Sequence, residues 1–224
     1  MAKIHGVAGE WARVKGTVLG LWPLFLGVFI AGMAVMLACF LPPLGLSLLA
    51  VAFLYLILSL MAGLRHVERF FKGARGEEKV SGILETLPDA YHVFNDFAVG
   101  RCHVDHVVAG PSGVFAVETK FWNGEVTIED GRILVDGRRP SRAPLAQAVR
   151  EAALVKSALA EAGWTGLVTP VLAFASDSFV ARRANLKGAV VMNSNELRSS
   201  FATNRMVIPP AELDRLVSLM ENRT

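Results

Sequence analysis

Between Lys15 and Arg65 the chain carries no Asp, Glu, Lys, Arg or His. That gap constrains the fold more than any other feature of these 224 residues. It divides at Pro42-Pro43 into two apolar runs, TVLGLWPLFLGVFIAGMAVMLACFL at 17–41 and LGLSLLAVAFLYLILSLMAGL at 44–64. As helices rising 1.5 Å per residue they span roughly 37 and roughly 31 Å, against a hydrocarbon core of about 30 Å. Backbone in lipid must satisfy its own hydrogen bonds, so two helices are expected. The connection is very short, which makes the pair an antiparallel transmembrane hairpin.

Charge on the flanks sets the orientation. Lys3, Arg13 and Lys15 precede the first span with only Glu10 against them. Arg65, Arg69, Lys72 and Arg75 follow the second, partly offset by Glu68, Glu77 and Glu78. The turn between the spans carries no charge. Positive residues stay inside, so both termini are expected in the cytoplasm, and the chain in the cell (inner) membrane as a multi-pass protein. A cleaved signal peptide is the rival reading, and Met36-Leu37-Ala38-Cys39 faintly resembles a lipoprotein box. The apolar run is too long for a signal h-region, however, and a second span follows at once. Three segments result: a cytoplasmic tail at 1–16, the hairpin at 17–64 and a cytoplasmic domain at 65–224.

A composition 53% hydrophobic, with a mean hydropathy of +0.43, excludes a disordered chain, a collagen-like fibre and a coiled coil. Two cysteines cannot support a disulfide scaffold. The net charge of +3 is too weak to mark a nucleic-acid binder by itself. Basic residues nonetheless cluster at Arg132, Arg138, Arg139, Arg142 and Arg150, then at Arg182, Arg183 and Lys187. They read either as a solvated surface or as a rim facing phosphate.

Residues 75–87 suit a helix, with Val80, Ile83, Leu84 and Leu87 as its apolar stripe and Pro88 as its stop. Strands are expected at 91–97, 103–109 and 114–120, with shorter ones near 125–129 and 132–135. Pro144 opens an Ala-rich helix to Glu161. Two apolar, β-branched strands follow at 169–175 and 188–193, then a short helix capped by Asn195 and a last amphipathic helix from Pro209 or Pro210. That order predicts an α/β sandwich with a mixed sheet.

The hairpin at 103–120 is the most informative segment. With Gly110 and Gly113 flanking Pro111-Ser112 in a type I turn, Asp105 falls opposite Glu118, His103 opposite Lys120 and Val107 opposite Ala116. Side chains alternate along a strand, so Asp105, Glu118, Lys120 and His103 share one face. Opposed carboxylates repel unless they share a proton or hold a cation. The alternative is a half-exposed face whose charges make surface ion pairs. His106, on the opposite face, reads as a structural histidine, and His103 has no assigned role. Glu77 lies on the apolar stripe of its helix, where it either answers the helix dipole or reaches toward Asp105 and Glu118 as a third acidic group.

The stretch GEEKVSGILETLPDAYHVFNDF…HVDHVVAGPSGVFAVETKFWNGEV resembles the NERD, or nuclease-related, domain. The likeness is strong over about residues 73–126 and extends more weakly through Gln147 and beyond. It implies a restriction-endonuclease-like α/β/α core of the PD-(D/E)xK type. The helix Glu of the family corresponds to Glu77, the strand Asp to Asp105 and the E-x-K pair to Glu118 and Lys120. Trp122, Gly124 and Gln147 match the aromatic, glycine and glutamine that follow.

The resemblance implies metal-assisted phosphodiester hydrolysis. Asp105 and Glu118 would hold Mg²⁺ or Mn²⁺, with the Thr119 carbonyl as an extra ligand and Glu77 supporting this or a second ion. Lys120 would orient the attacking water or stabilise the transition state, and Gln147 would position water or phosphate. The expected partner is nucleic acid, DNA before RNA, beside a lipid bilayer. Two other readings stay open: a catalytically weak or inactive binding module tethered to the membrane, and a structural membrane protein whose carboxylates form ion pairs. The oligomeric state is not determined, although Gly27 and Gly32 offer small residues for close helix packing.

Overall fold

The computed structural model describes residues 1–177, 179–181, 183–203 and 205–221. Arg182 of the basic cluster lies outside them, as does the side chain of Arg69 among the flanking cations. The chain forms two compact units, one of Met1–Gly9 with Arg75–Thr224 and one of Glu10–Ala74.

The second unit is built from α1 (Glu10–Phe40) and most of α2 (Pro42–Glu85), with Leu41 alone between them. Both helices are long and apolar enough to cross a membrane. Within the unit they run antiparallel in close contact. A Cβ on Gly63 would stand 2.7 Å from the Gly20 carbonyl oxygen, so this approach requires glycine. Gly27 likewise admits Leu56, whereas Gly32 faces open space and takes no part. Trp22, Phe25, Phe29 and Phe53 point outward and are exposed. A soluble core helix would bury such side chains.

Helix α2 does not end with the apolar run. The helix expected at 75–87 is its C-terminal part, because residues 65–74 contain no proline and their one glycine, Gly73, weakens a helix without ending it.

The α/β unit is organised on a seven-stranded mixed sheet. Its strands are β1 (Lys3–His5), β2 (His92–Val99), β3 (Cys102–Gly110), β4 (Gly113–Lys120), β7 (Val168–Phe174), β8 (Ala184–Leu186) and β9 (Ala189–Asn193). Their order in space is β1-β2-β3-β4-β7-β9-β8. The β2-β3-β4 meander is antiparallel, and β4, β7 and β9 run parallel. Strands β5 (Val126–Glu129) and β6 (Arg132–Val135) form a separate hairpin.

Helices cover both faces of the sheet. Helices α3 (Pro144–Glu161) and α5 (Pro210–Glu221) lie on one side, where Val155, Leu159, Leu216 and Met220 pack on Phe97, Val107 and Ala116. The end of α2 and α4 (Leu197–Phe201) cover the other, where Val80, Leu84, Leu197 and Phe201 pack on Val93, Val117 and Val171. A third apolar cluster joins β5 and β6 to the start of α3 through Val126, Ile133, Ala148 and Phe174.

Two strands were not expected. β1 comes from the tail and pairs parallel with the free edge of β2, Ile4 beside Val93. β8 pairs antiparallel with β9 at the opposite edge. The cap of the turn at Ser194–Glu196 is Asn193, whose side chain accepts from the Asn195 amide, rather than Asn195 itself.

Candidate metal-binding and hydrolytic site

Hairpin β3–β4 has the expected register. Gly110 pairs with Gly113, Val107 with Ala116 and His106 with Val117. The backbone ladder ends there, short of the Asp105/Glu118 and His103/Lys120 positions. Beyond it the Thr119 amide donates to Asp105 Oδ2 at 2.7 Å, so a side-chain carboxylate takes the place of the next ladder acceptor. Strand β4 remains paired on its other edge, Glu118 beside Leu172 and Lys120 beside Phe174. One edge of β4 is thus held rigidly while the other opens on a carboxylate.

Alternation places the charged group. Val107 and Ala116 belong to the cluster under α3, so Asp105, Glu118 and Lys120 share that side of the sheet. Lys120 Nζ donates to the Glu118 carboxylate and, at 3.2 Å, to Gln147 Oε1. Gln147 Nε2 donates in turn to Glu151 Oε1 at 2.9 Å. A lysine only donates and a carboxylate accepts, so these two partners fix which way the Gln147 amide points. The predicted residues Asp105, Glu118, Lys120 and Gln147 therefore converge. Glu77 approaches the same group, and its charge is felt at Asp105.

Glu151 belongs to this network and was not predicted. It is 5% exposed, beside Glu118 and one helical turn beyond Gln147. Its signal is periodicity: Ala148, Glu151, Ala152, Val155 and Leu159 form the buried stripe of α3, with a carboxylate in an otherwise apolar row. Asp96 is a second unforeseen neighbour. It sits inside β2 with φ +50°, a strained left-handed conformation for a strand residue, and its charge acts on Glu77.

Burial and mutual repulsion raise the acids. Burial, then Asp96 and Glu118, push Glu77 up to about 7 against the pull of Lys120 and the Gly9 amide. Burial, then Glu118, push Glu151 up to about 8. Burial, then Glu118 and Glu77, hold Asp105 well above the usual carboxylate range. Burial alone would lower Lys120, but Glu118, Asp105 and Glu151 outweigh it and raise it. Four carboxylates thus share one lysine, a charge imbalance that protons or a cation must relieve.

The donor set suits a hard divalent cation. Glu118 Oε2 and Glu151 Oε2 are buried and meet no donor among the described residues, and the two carboxylates adjoin closely enough to share a proton. An oxygen of this kind, beside a second carboxylate, fits Mg²⁺ or Mn²⁺. Among the described residues no group of three or more His, Cys, Asp or Glu side chains is placed so that it could hold a metal ion. An ion here would be held by one or two of these carboxylates and would keep water in its remaining positions, as Mg²⁺ usually does.

Other expected positions play supporting parts. His106 is fully buried on the opposite face and donates Nδ1–H to Asn95 Oδ1 at 2.7 Å. Burial lowers its pKa to about 3, so it is a neutral structural histidine. Trp122 packs edge-on against Phe174, with ring centroids 5.5 Å apart. Gly124, at φ +92°, lies against the Asp136 carboxylate, which leaves no room for a Cβ.

No curated protein and no solved structure matches the chain. Residues 72–175 do match a family model, and that segment holds Glu77, Asp105, Glu118, Lys120, Gln147 and Glu151. The family is the nuclease-related domain, NERD.

Proposed function

We propose that this chain is a membrane-anchored, metal-dependent nuclease that hydrolyses phosphodiester bonds in DNA, and secondarily RNA, at the cytoplasmic face. The observation that carries the reading is the convergence of Asp105, Glu118 and Lys120 beside a buried carboxylate oxygen that meets no donor among the described residues. A mixed sheet with helices on both faces is compatible with a restriction-endonuclease-like core, and the nuclease-related match points the same way.

Asp105 and Glu118 are the residues that hold Mg²⁺ or Mn²⁺, with Glu77 behind them. The ion supplies an acidified water and neutralises charge on the phosphate. Lys120 stands at Glu118 with its ammonium fixed by Gln147, placed to orient the water and to meet charge developing on the phosphoryl oxygens. Apolar side chains of the α3-side cluster back the site and limit water behind it.

Anchoring rests on the two outward-apolar helices. A cleaved leader would remove β1, which belongs to the α/β unit. Both ends of the chain contribute to that unit, so both belong on one side of the membrane. The flanking cations make that side the cytoplasm.

The test is cleavage of labelled DNA by the full chain in detergent with Mg²⁺ or Mn²⁺. Lys120→Ala should abolish cleavage while the protein stays folded. Salt-sensitive binding with no cleavage in either metal would instead make the chain a tethered binding module.

A further inference from the structure

We propose that a cavity at the start of α3 is a phosphate subsite for the nucleic-acid backbone next to the scissile bond; the assignment rests on the hydrolytic reading above. The cavity has a volume of about 350 Å³. Arg132 of β6, Arg139 and Arg142 before α3, and Lys187 between β8 and β9 line it, with Leu145 of the first helical turn. No carboxylate is among the lining residues. None of the four cations has an ion-pair partner among the described residues.

The helix adds to the same field. Ala143 at the N-cap offers no side-chain acceptor, and the first turn has no acidic residue. The first i→i−4 bond is made by Gln147 to Ala143, so the Leu145 and Ala146 amides precede it. These are the positive, unsatisfied donors of a helix start, and no acidic side chain among the described residues lines the cavity to neutralise them. Four exposed cations around a helix N-terminus in a cavity fit a phosphodiester oxyanion.

Leu145 is two residues, or roughly 3 Å along the helix, from Gln147. Gln147 contacts Lys120 directly. The Leu145 and Gln147 side chains point about 200° apart around α3, so a strand whose phosphate occupies the cavity passes around the start of the helix to present another part of its backbone to Lys120. Contacts of this type read charge and spacing, not base identity, so they bring no sequence preference.

The experiment uses the full chain in detergent and a labelled single-stranded oligonucleotide, with EDTA present to prevent cleavage. Arg139→Ala/Arg142→Ala should weaken binding about tenfold or more and reduce the slope of log affinity against log salt by about 1.4, as expected for two lost contacts. Lys187→Gln is the independent check, with a slope change of about 0.7. With Mg²⁺, the double variant should lose DNA cleavage while hydrolysis of bis(4-nitrophenyl) phosphate, too small to reach the cavity, is unchanged. Wild-type affinity and salt slope in both variants would overturn the subsite. So would arginine-dependent binding to phosphatidylglycerol vesicles with no oligonucleotide binding. Arginine-dependent oligonucleotide binding with no cleavage in any metal would support the subsite and count against the hydrolytic reading alone.

Discussion

The Thr119 amide donates to Asp105 Oδ2 at 2.7 Å, where the β3–β4 ladder has already ended. The bond holds a carboxylate against the opened edge of β4 while Glu118 and Glu77 repel its charge. Asp105→Asn keeps an acceptor for that amide and removes the repulsion. We expect the metal-free variant to melt higher than wild type at pH 8, by about 1 kcal/mol or more of stability. Wild type should gain about 1.4 kcal/mol from Mg²⁺ at ten times its Kd, and the variant should gain almost nothing. Thermal melts with EDTA and with Mg²⁺ check both signs. An Asp105→Asn protein that still gains wild-type stability from Mg²⁺ would remove Asp105 from the ion site.

Stability should depend on pH in a way the metal reverses. Burial, then Asp96 and Glu118, raise Glu77 to about 7; burial, then Glu118, raise Glu151 to about 8. A raised carboxylate destabilises the fold while ionised. Lowering the pH through 8 and 7 therefore restores stability, at most about 1.4 kcal/mol per pH unit per group, until the unfolded chain also protonates below about 4.5. His106 acts oppositely, because burial lowers it to about 3. The unfolded chain takes that proton first, so stability is lost as the pH falls below about 6.5. In EDTA, Tm should thus rise from pH 9 to about pH 5 and fall below about 4.5. Saturating Mg²⁺ should flatten or invert the slope above pH 6, because it binds the ionised acids. A metal-free Tm that does not change between pH 9 and 6 would contradict the burial of these groups.

Glu151 acts on Lys120 through an amide. Gln147 Nε2 is held by Glu151, which turns Gln147 Oε1 toward Lys120. Glu151→Ala should lower kcat for DNA about three- to tenfold, the worth of one hydrogen bond, with KM nearly unchanged. Glu151→Gln retains an acceptor and should recover most of the loss. A purely structural role would lower Tm in both variants without separating their kcat values.

The hairpin register was legible because turn chemistry and alternation act over short range. Gly110, Pro111 and Gly113 set the pairing, and one face must be apolar. Pro144 and the Ala-rich stripe marked α3 for the same reason. Glu151 was equally available from that stripe but matches no motif, and only burial shows its importance. The strand at Lys3–His5 had no local signal at all. Three residues cannot display a period, and their pairing depends on a β2 edge almost ninety positions away. The continuity of α2 was missed because hydropathy changes at Arg65 while helix propensity does not.

β1 therefore decides which fragments of the protein are sound. His5 stacks on Phe94 at 4.3 Å between ring centroids, and Ala2 and Lys3 donate backbone bonds to Glu85 and Tyr91. Deleting residues 1–9 exposes the β2 edge and uncovers part of Phe94, which is otherwise fully buried. With net values of about 0.5–1.5 kcal/mol per hydrogen bond, the loss should be about 2 kcal/mol or more. For a domain of this size that lowers Tm by roughly 4–8 °C. A fragment beginning at residue 70 should carry the same deficit, and fusing residues 1–9 to it through a flexible linker should recover it. Differential scanning calorimetry of the three proteins measures the effect. Equal Tm values for the fragment with and without the fused strand would show that β1 contributes nothing to the α/β unit.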